Sequence, residues 1–278
     1  MIGLFLFSLR AFADEQTDKS QYTLFNPVPD DLMRGFATDR PTKSDTPYTV
    51  DAGHFQYEAD AVNWTYDRYN ATHTTTSNLV VGDPVLKAGL TQHTDLEIAL
   101  APMNFDRTHD RANNANNTAA GFGDVYTRVK YNLFGDDGGD YALAVVPYVK
   151  APAAAHNLGN NHWEGGGYAP FMAALPDDWM LDITSEFDIL ENAALNGTHA
   201  NFQNLINFSH PLFADSLTGY VEFWSDVDND KQTPNQYSFD LALAWAVTNN
   251  VQLDAGINLG LNKATNDMQP YLGLSQRF

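Results

Sequence analysis

The sequence predicts an all-β protein, an antiparallel up-and-down transmembrane β-barrel of about 12 strands. Three observations lead to this fold. From residue 54 onwards, apolar and polar residues alternate in segments of roughly ten residues, and turn residues separate these segments. The connections between the segments are alternately short and long. No stretch reaches the roughly 18 consecutive apolar residues of a spanning helix, so this chain would have to cross a membrane with strands.

The composition limits the function classes. The 278 residues are 44 % hydrophobic, the mean hydropathy is -0.35, and the formal net charge is -20. A nucleic-acid partner is not expected, because binding to phosphates requires a basic surface. The chain contains no cysteine, which excludes disulfides, thiolate metal sites and cysteine nucleophiles.

The N-terminus reads MIGLFLFSLRAFADEQ. An apolar stretch, Ile2–Leu9, precedes Ala11-Phe12-Ala13, which matches the small-residue pattern at signal-peptide cleavage sites. We therefore expect a signal peptide over 1–13, although it lacks a basic beginning and a buried first strand is the alternative. Residues 14–53 contain several prolines and predict an irregular N-terminal arm, either periplasmic or inserted in the lumen.

Residues 54–278 form the predicted barrel. Its clearest strand is YSFDLALAWAV (237–247), in which large apolar residues occupy one face and small or polar residues the other. The same alternation places the twelve strands near 54–67, 79–90, 95–104, 122–134, 141–151, 163–175, 179–190, 201–212, 216–226, 236–247, 251–262 and 268–278.

The connections follow a rule under this assignment. Those after even-numbered strands are short: Thr91–Thr94, Gly135–Asp140, Leu175–Asp178, Phe213–Asp215 and Thr248–Asn250. Those after odd-numbered strands are mostly longer and polar, such as DRTHDRANNANNTAA (106–120) and PAAAHNLGNNH (152–162). Short turns at one rim and long loops at the other are typical of an outer-membrane barrel.

The charges indicate which face of each strand meets lipid. In strand 4, Arg128 and Lys130 alternate with Val125, Val129 and Leu133, and the apolar face carries no charge. A lysine or arginine facing the bilayer midplane would cost about 2–4 kcal/mol. A dry core filled with a dozen charged groups would also be costly. The charged faces are therefore predicted to line a wet lumen.

Four segments resemble a known family: 36–60, 85–102, 121–152 and the YLGLSQRF end. They look like the outer-membrane β-barrel "transporter" proteins of the MetA pathway of phenol degradation, and the match covers about residues 36–278. The resemblance implies a β-barrel that admits aromatic or other small organic molecules.

The inward charges divide by sign along the chain. The predicted basic wall of the lumen consists of Lys87, Arg128, Lys130 and Lys150. The predicted acidic wall consists of Asp182, Glu186, Asp188, Glu222, Asp240 and Asp254. Opposite walls of opposite charge would create a transverse field that favours polar or dipolar solutes. The alternative is that these groups form salt bridges that brace the barrel.

Five aromatic side chains also point inward by parity: Tyr126, Tyr148, Tyr168, Tyr220 and Trp224. They could stack on an aromatic solute or simply fill a narrow lumen. At the C-terminus, Leu272, Leu274 and Phe278 are predicted to face lipid, and the last strand must pair with the first to remove both edges. The terminal Phe278 resembles the assembly signal of outer-membrane barrels.

The sequence shows no recognisable catalytic or metal-binding motif. The sequence has neither HExxH nor GxSxG, and its histidines and serines have no diagnostic spacing. The acidic segment DVDNDKQ (226–232) lacks the glycine and the final glutamate of a calcium loop. We therefore expect no enzyme activity, no metal site and no cofactor.

We expect a channel in the outer membrane of a Gram-negative bacterium, for passive uptake of small solutes that include aromatic compounds. Twelve strands predict a narrow lumen, between the filled eight-stranded barrels and the open porins. The expected partners are outer-membrane lipid and lipopolysaccharide, the barrel-assembly machinery and a small-molecule solute. The alternatives are a plugged barrel with a structural or adhesive role and an outer-membrane lipid hydrolase.

Overall fold

A computed structural model describes residues 18–214 and 216–278. The predicted signal peptide, 1–13, lies outside the described residues. Within them, the only helical element is the short 3-10 helix Asp30–Leu32, and no helix is long and apolar enough to cross a membrane.

The remaining regular structure is a single antiparallel sheet. We number its strands β1 to β12, and three of them are interrupted once. They are β1 (Phe55–Asp67), β2 (Thr74–Val81 and Asp83–Thr91), β3 (Thr94–Ala99 and Met103–Asp110), β4 (Ala115–Gly121 and Val125–Phe134), β5 (Tyr141–Ala151), β6 (Glu164–Ala174), β7 (Met180–Glu191), β8 (Thr198–Pro211), β9 (Leu217–Asp228), β10 (Gln236–Thr248), β11 (Val251–Gly260) and β12 (Met268–Arg277).

The sheet closes on itself through β12 and β1. These strands pair from Gln56 with Arg277 to Tyr66 with Met268. Beyond the last ladder pair, the Phe278 amide donates a hydrogen bond to the Phe55 carbonyl at 2.8 Å. The prediction of a closed antiparallel barrel of twelve strands is therefore confirmed. Closure pairs the first strand with the last, as a hydrocarbon environment requires. Within the described residues, Ala115–Gly121 pairs on one side only, with Met103–Asp110.

The interrupted strands β2, β3 and β4 differ from the prediction. Residues 106–120 were expected to form a long loop, but most of them lie in paired strands, with Asp110 opposite Ala115. The segment is rich in Asn, Thr and Ala, so it has no alternation of apolar and polar residues to reveal the pairing. Gly82, with φ of +63°, separates the two halves of β2.

The connections lie at two ends of the barrel, which we call the turn end and the loop end. The turn end includes the shortest connections, Gln92–His93 and Asn249–Asn250, together with Phe55 and Phe278. The loop end includes the longest connection, residues 152–163.

The outer surface of the barrel is apolar. Most of the large side chains predicted to face outward are exposed on it, whereas Val125 and Leu274 are half-buried. The exposed ones include Val129, Leu133, Tyr141, Val145, Trp179, Ile183, Phe187, Val221, Leu241, Leu243, Trp245, Leu253, Leu272 and Phe278. The fully buried large side chains are mostly charged or polar and face the lumen, among them Lys130, Glu58, Glu97 and Glu222. This arrangement is the reverse of a water-soluble protein and is typical of a membrane barrel.

Candidate functional site: a lumen divided by the N-terminal arm

Residues 37–53 of the N-terminal arm lie inside the barrel, and residues 18–36 lie at its turn end, where Phe25 is 93 % exposed. The arm contacts the wall closely where the wall has glycines. A Cβ atom on Gly89 of β2 would collide with the backbone of Asp51, and one on Gly273 of β12 would collide with the guanidinium of Arg40. These glycines allow the arm to lie directly against the strands.

Asp39 of the arm lies between two lysines of the barrel wall. Its carboxylate is 2.7 Å from the Lys130 ammonium of β4 and in close contact with the Lys87 ammonium of β2. All three groups are nearly inaccessible to solvent, and Lys130 has no exposed surface at all. Lys130 also lies 3.4 Å from Glu97 of β3. Burial costs each ion its hydration, so each needs these partners.

The basic groups of the arm lie on the opposite side of the lumen. Arg40 donates to Asp254 of β11 from two nitrogens, at 2.6 and 3.1 Å, and its Nη2 lies 2.5 Å from Asp60 of β1. Lys43 Nζ is 2.7 Å from Asp240 of β10. Asp39 thus meets lysines of the wall, and Arg40 and Lys43 meet aspartates.

Glu222 of β9 holds the arm through its backbone. The backbone amides of Lys43 and Ser44 donate to the two Glu222 oxygens, each at 3.0 Å, and the Ser44 hydroxyl donates at 2.7 Å. Glu222 is 1 % exposed. Three donors from two successive residues stabilise this buried carboxylate without a paired cation.

At the turn end, the connection between β4 and β5 anchors the beginning of the arm. Arg34 Nε donates to Asp137 at 2.8 Å, and Lys19 Nζ lies 3.0 Å from the same carboxylate. Thr49 donates its amide and its hydroxyl to Asp136. Burial acts to raise the pKa of Asp137, but hydrogen bonds and charge from Arg34 and Lys19 outweigh it and hold the pKa at about 2.

Cavities lie on both sides of the arm. The cavity at the turn end has a volume of about 660 Å³ and lies between the start of the arm and the β4–β5 connection. The second cavity, which we call the upper chamber, has a volume of about 430 Å³ and lies on the loop-end side of the arm. Lys43 and Asp45 of the arm form its floor. Its walls are residues of β4 to β8: Tyr126, Arg128, Tyr148, Glu164, Tyr168, Thr184, Glu186, Asp188, Leu190 and Gln203.

The residues predicted for the two walls fall into two groups. Most are occupied by other side chains: Lys87, Lys130, Glu222, Asp240 and Asp254 hold the arm, and Lys150 pairs with Glu164 at 2.5 Å. Asp182 is buried on the lumen face of β7, where Asn207 contacts it. Arg128, Glu186 and Asp188 line the upper chamber.

Several carboxylates of the wall, and the charged residues of the arm, were not predicted. Glu58 and Asp60 face the lumen from β1, beside the predicted basic wall, and Asp95 and Glu97 face it from β3, within that wall. That sector is therefore mixed in charge. The alternation in TDLEIAL, where Asp95 and Glu97 interleave with Leu96 and Ile98, was a signal that could have identified two of them.

One group of carboxylates has the spacing of a cation site. Oxygens of Asp39, Asp45 and Glu97 lie within 4.8 Å of one another. The Lys130 ammonium approaches Asp39 at 2.7 Å and Glu97 at 3.4 Å, so an amine already supplies positive charge there.

The predicted lumen aromatics also divide between two environments. Tyr126, Tyr148 and Tyr168 line the upper chamber, and the Tyr126 and Tyr148 ring centroids are 6.0 Å apart. Trp224 lies under Lys43, whose Nζ is 4.5 Å from the ring centroid. Tyr220 is half-buried on β9 and does not line the chamber.

Comparison with protein families matches residues 38–278 to the family described as "Putative MetA-pathway of phenol degradation". The chain belongs to this family. The match extends over the barrel and over the part of the arm that contains Asp39, Arg40 and Lys43. No curated protein matches the chain in sequence.

Solved structures share the fold of this family member. An outer-membrane channel from Pseudomonas putida F1 aligns with a TM-score of 0.61 at 14 % identity, over 81 % of this chain and 95 % of that one. The translocator domain of the autotransporter NalP from Neisseria meningitidis aligns with a TM-score of 0.52 at 10 % identity, over 81 % and 88 %. At these identities the likeness concerns the barrel fold alone.

The histidines of the described chain show no catalytic arrangement. Their side-chain hydrogen bonds go to backbone carbonyls, to asparagines and, from His199, to Asp228 at 2.9 Å. Within residues 18–214 and 216–278, none of these bonds goes to a serine. A hydrolase of the serine–histidine type would need such a contact.

Proposed function

We propose that this protein is an outer-membrane channel for passive movement of small solutes, and that its own N-terminal arm narrows the lumen. One observation carries the proposal: a closed barrel with an apolar outer surface encloses a charged lumen with a cavity on each side of the arm. A lumen of this polarity suits water and polar solutes. We assign the chain no catalytic activity.

The barrel would lie in the outer membrane of a Gram-negative bacterium, with the turn end facing the periplasm and the loop end facing outward. The expected partners are membrane lipid and lipopolysaccharide outside the barrel, and the assembly machinery at the strand that ends in Phe278. The family description and the three tyrosines of the upper chamber favour aromatic compounds among the solutes.

A plugged barrel with a structural or adhesive role is the second candidate. The buried ion pairs of Asp39 and Arg40 favour it, because an arm held by several such pairs would resist displacement.

Single-channel recording in planar bilayers separates the two candidates. The full chain and a variant lacking residues 18–50 are refolded and compared, and heat-modifiable migration in gels checks that both barrels are folded. We expect small or rare current steps from the full chain and larger, stable steps from the truncated one. No steps from either folded protein would contradict the channel function and favour the plugged barrel.

A further inference from the structure

The upper chamber contains carboxylates that the rest of the lumen does not neutralise. Glu186 and Asp188 project from β7 into this chamber, and Asp188 is 1 % exposed. Among the described residues, neither is paired with a lysine, arginine or histidine. Asp188 accepts hydrogen bonds from Tyr148 at 2.6 Å and Gln203 at 3.3 Å, both of them uncharged donors.

The cations of the same chamber are already matched by other acids. Lys43 pairs with Asp240, and Arg128 lies 3.7 Å from Asp45 and 3.9 Å from Glu97. Lys150, just above, pairs with Glu164 and Asp124. Glu186 and Asp188 are therefore the carboxyl groups of the chamber that have no ion-pair partner among the described residues.

A second, independent feature next to these carboxylates is an unused polar group. Thr184, two residues before Glu186 on the same face of β7, also lines the chamber and is 2 % exposed. Its hydroxyl oxygen has no hydrogen-bond partner within the described chain. A buried hydroxyl without a partner is unfavourable, and a donor entering the chamber would satisfy it.

Three aromatic rings complete the chamber. Tyr126, Tyr148 and Tyr168 come from three successive strands, and the Tyr126 ring is tilted by 45° to that of Tyr148. The faces of aromatic rings attract cations, and this attraction is strongest where water is excluded. A volume of about 430 Å³ suits a small organic molecule better than a bare metal ion.

We propose that the upper chamber is a binding site for a small organic ammonium ion. Its positive group would lie against Glu186 and Asp188, with an N–H group donating to the Thr184 hydroxyl, and its carbon skeleton would pack on the tyrosine rings. This inference deepens the proposed function and rests on it, because a solute would reach the chamber through the loop end of the channel.

Three aromatic probes of similar size test the proposal: benzylammonium, benzyl alcohol and benzoate, which carry positive, zero and negative charge. Their binding to the full-length protein in detergent is measured by isothermal calorimetry. We expect benzylammonium to bind at least about tenfold more tightly than benzyl alcohol, and benzoate to bind most weakly. Equal binding of the three probes to the unmodified protein would overturn the proposal.

Matched variants locate the site. Glu186→Gln should weaken benzylammonium binding about tenfold, whereas Asp182→Asn, which removes the same charge from the same face of β7 outside the chamber, should change it less than about twofold. Tyr126→Leu should weaken binding about threefold, whereas Tyr126→Phe, which keeps the ring, should not.

Two results would count against the site. Equal losses of benzylammonium affinity in Glu186→Gln and Asp182→Asn would mean that the probe responds to the overall electrostatic field of the lumen and does not bind at a local site. Unchanged benzylammonium affinity in Tyr126→Leu would mean that the tyrosine ring does not contribute and that the site binds any cation. Calorimetry in detergent needs no conduction, and bilayer recording needs no ligand, so a failure of this proposal is distinguishable from a failure of the channel function.

Discussion

The charged residues around the arm and those of the upper chamber differ in how they are paired. Around the arm, the lysines, Arg40 and most of the carboxylates have close partners of opposite charge or backbone amides. In the upper chamber, Glu186 and Asp188 form no ion pair with any described residue, although Arg128 lines the same cavity. The difference shows that a charged residue facing the lumen need not interact with a solute. In this barrel, most of the wall charges bind a segment of the chain itself, and only a few remain available to a solute.

Among the variants that test this difference, Lys130→Met is expected to have the largest effect. This change leaves Asp39 and Glu97 buried with one cation fewer, which should weaken docking of the arm by about 3 kcal/mol. The rate of tryptic cleavage after Lys43 in the folded protein measures the exposed fraction of the arm. Lys150→Met is the control, since its partners lie at the loop end, and it should leave that rate unchanged. Protection of the arm in Lys130→Met would contradict the role of this pair.

Asp254→Asn tests the other side of the arm. Arg40 keeps Asp60 but loses a charged acceptor that receives two of its hydrogen bonds, so docking should weaken by about 2 kcal/mol. The same tryptic assay applies, with Asp182→Asn as a control that removes a lumen carboxylate without a direct contact to the arm. An equal effect of both variants would mean that only the total charge of the lumen matters.

Gly89→Val tests close packing without changing charge. The new side chain would occupy the space of the Asp51 backbone, so the arm must shift at a cost of roughly 1–3 kcal/mol. A valine suits the strand itself, and the barrel should keep its heat-modifiable migration. Unchanged tryptic cleavage would show that the arm adapts at this point.

These effects arise from features that the sequence reveals unequally. The strands were predictable because lipid on one side and a wet lumen on the other impose an alternation with a period of two residues. The arm has no such period. Asp39, Arg40 and Lys43 lie in TDRPTKSD, an irregular segment whose partners include residues more than two hundred positions away, such as Asp254. Their pairing depends on the closed barrel, so no local sequence pattern predicts it.

The upper chamber was predictable in part, for the same reason. Arg128, Glu186, Asp188 and the tyrosines of β4 to β6 were identified as lumen residues from alternation alone. Which of the lumen residues remain available depends on where the arm lies. Asp45 and Lys43, which form the chamber floor, were therefore missed.

Arg128→Gln should have a smaller effect on stability, below about 1 kcal/mol, because its nearest carboxylates are 3.7 and 3.9 Å away. Its effect should appear in conduction. Reversal potentials of the channel lacking residues 18–50 should shift toward cations when this positive charge is removed. Unchanged reversal potentials would show that Arg128 does not contribute to ion selectivity.

The smallest effect is expected from acid at the turn end. The pKa of Asp137 is about 2 with the arm in place, below its ordinary value near 4. Its contribution to docking is therefore present above pH 4 and is lost as the pH falls from about 4 to about 2. Pepsin cleavage of the arm over this range should rise less steeply in Asp137→Asn than in the unmodified protein. Identical pH profiles would exclude Asp137 as the titrating anchor.

Arg40 has a consequence for the order of assembly. One guanidinium touches Asp60 of the first strand and Asp254 of the eleventh, and the twelfth strand lies between them. These two carboxylates come together only after the last strand has joined the first. The arm precedes every strand in the chain, but its final position is created by the last step of folding, so a docked arm reports that the ring has closed.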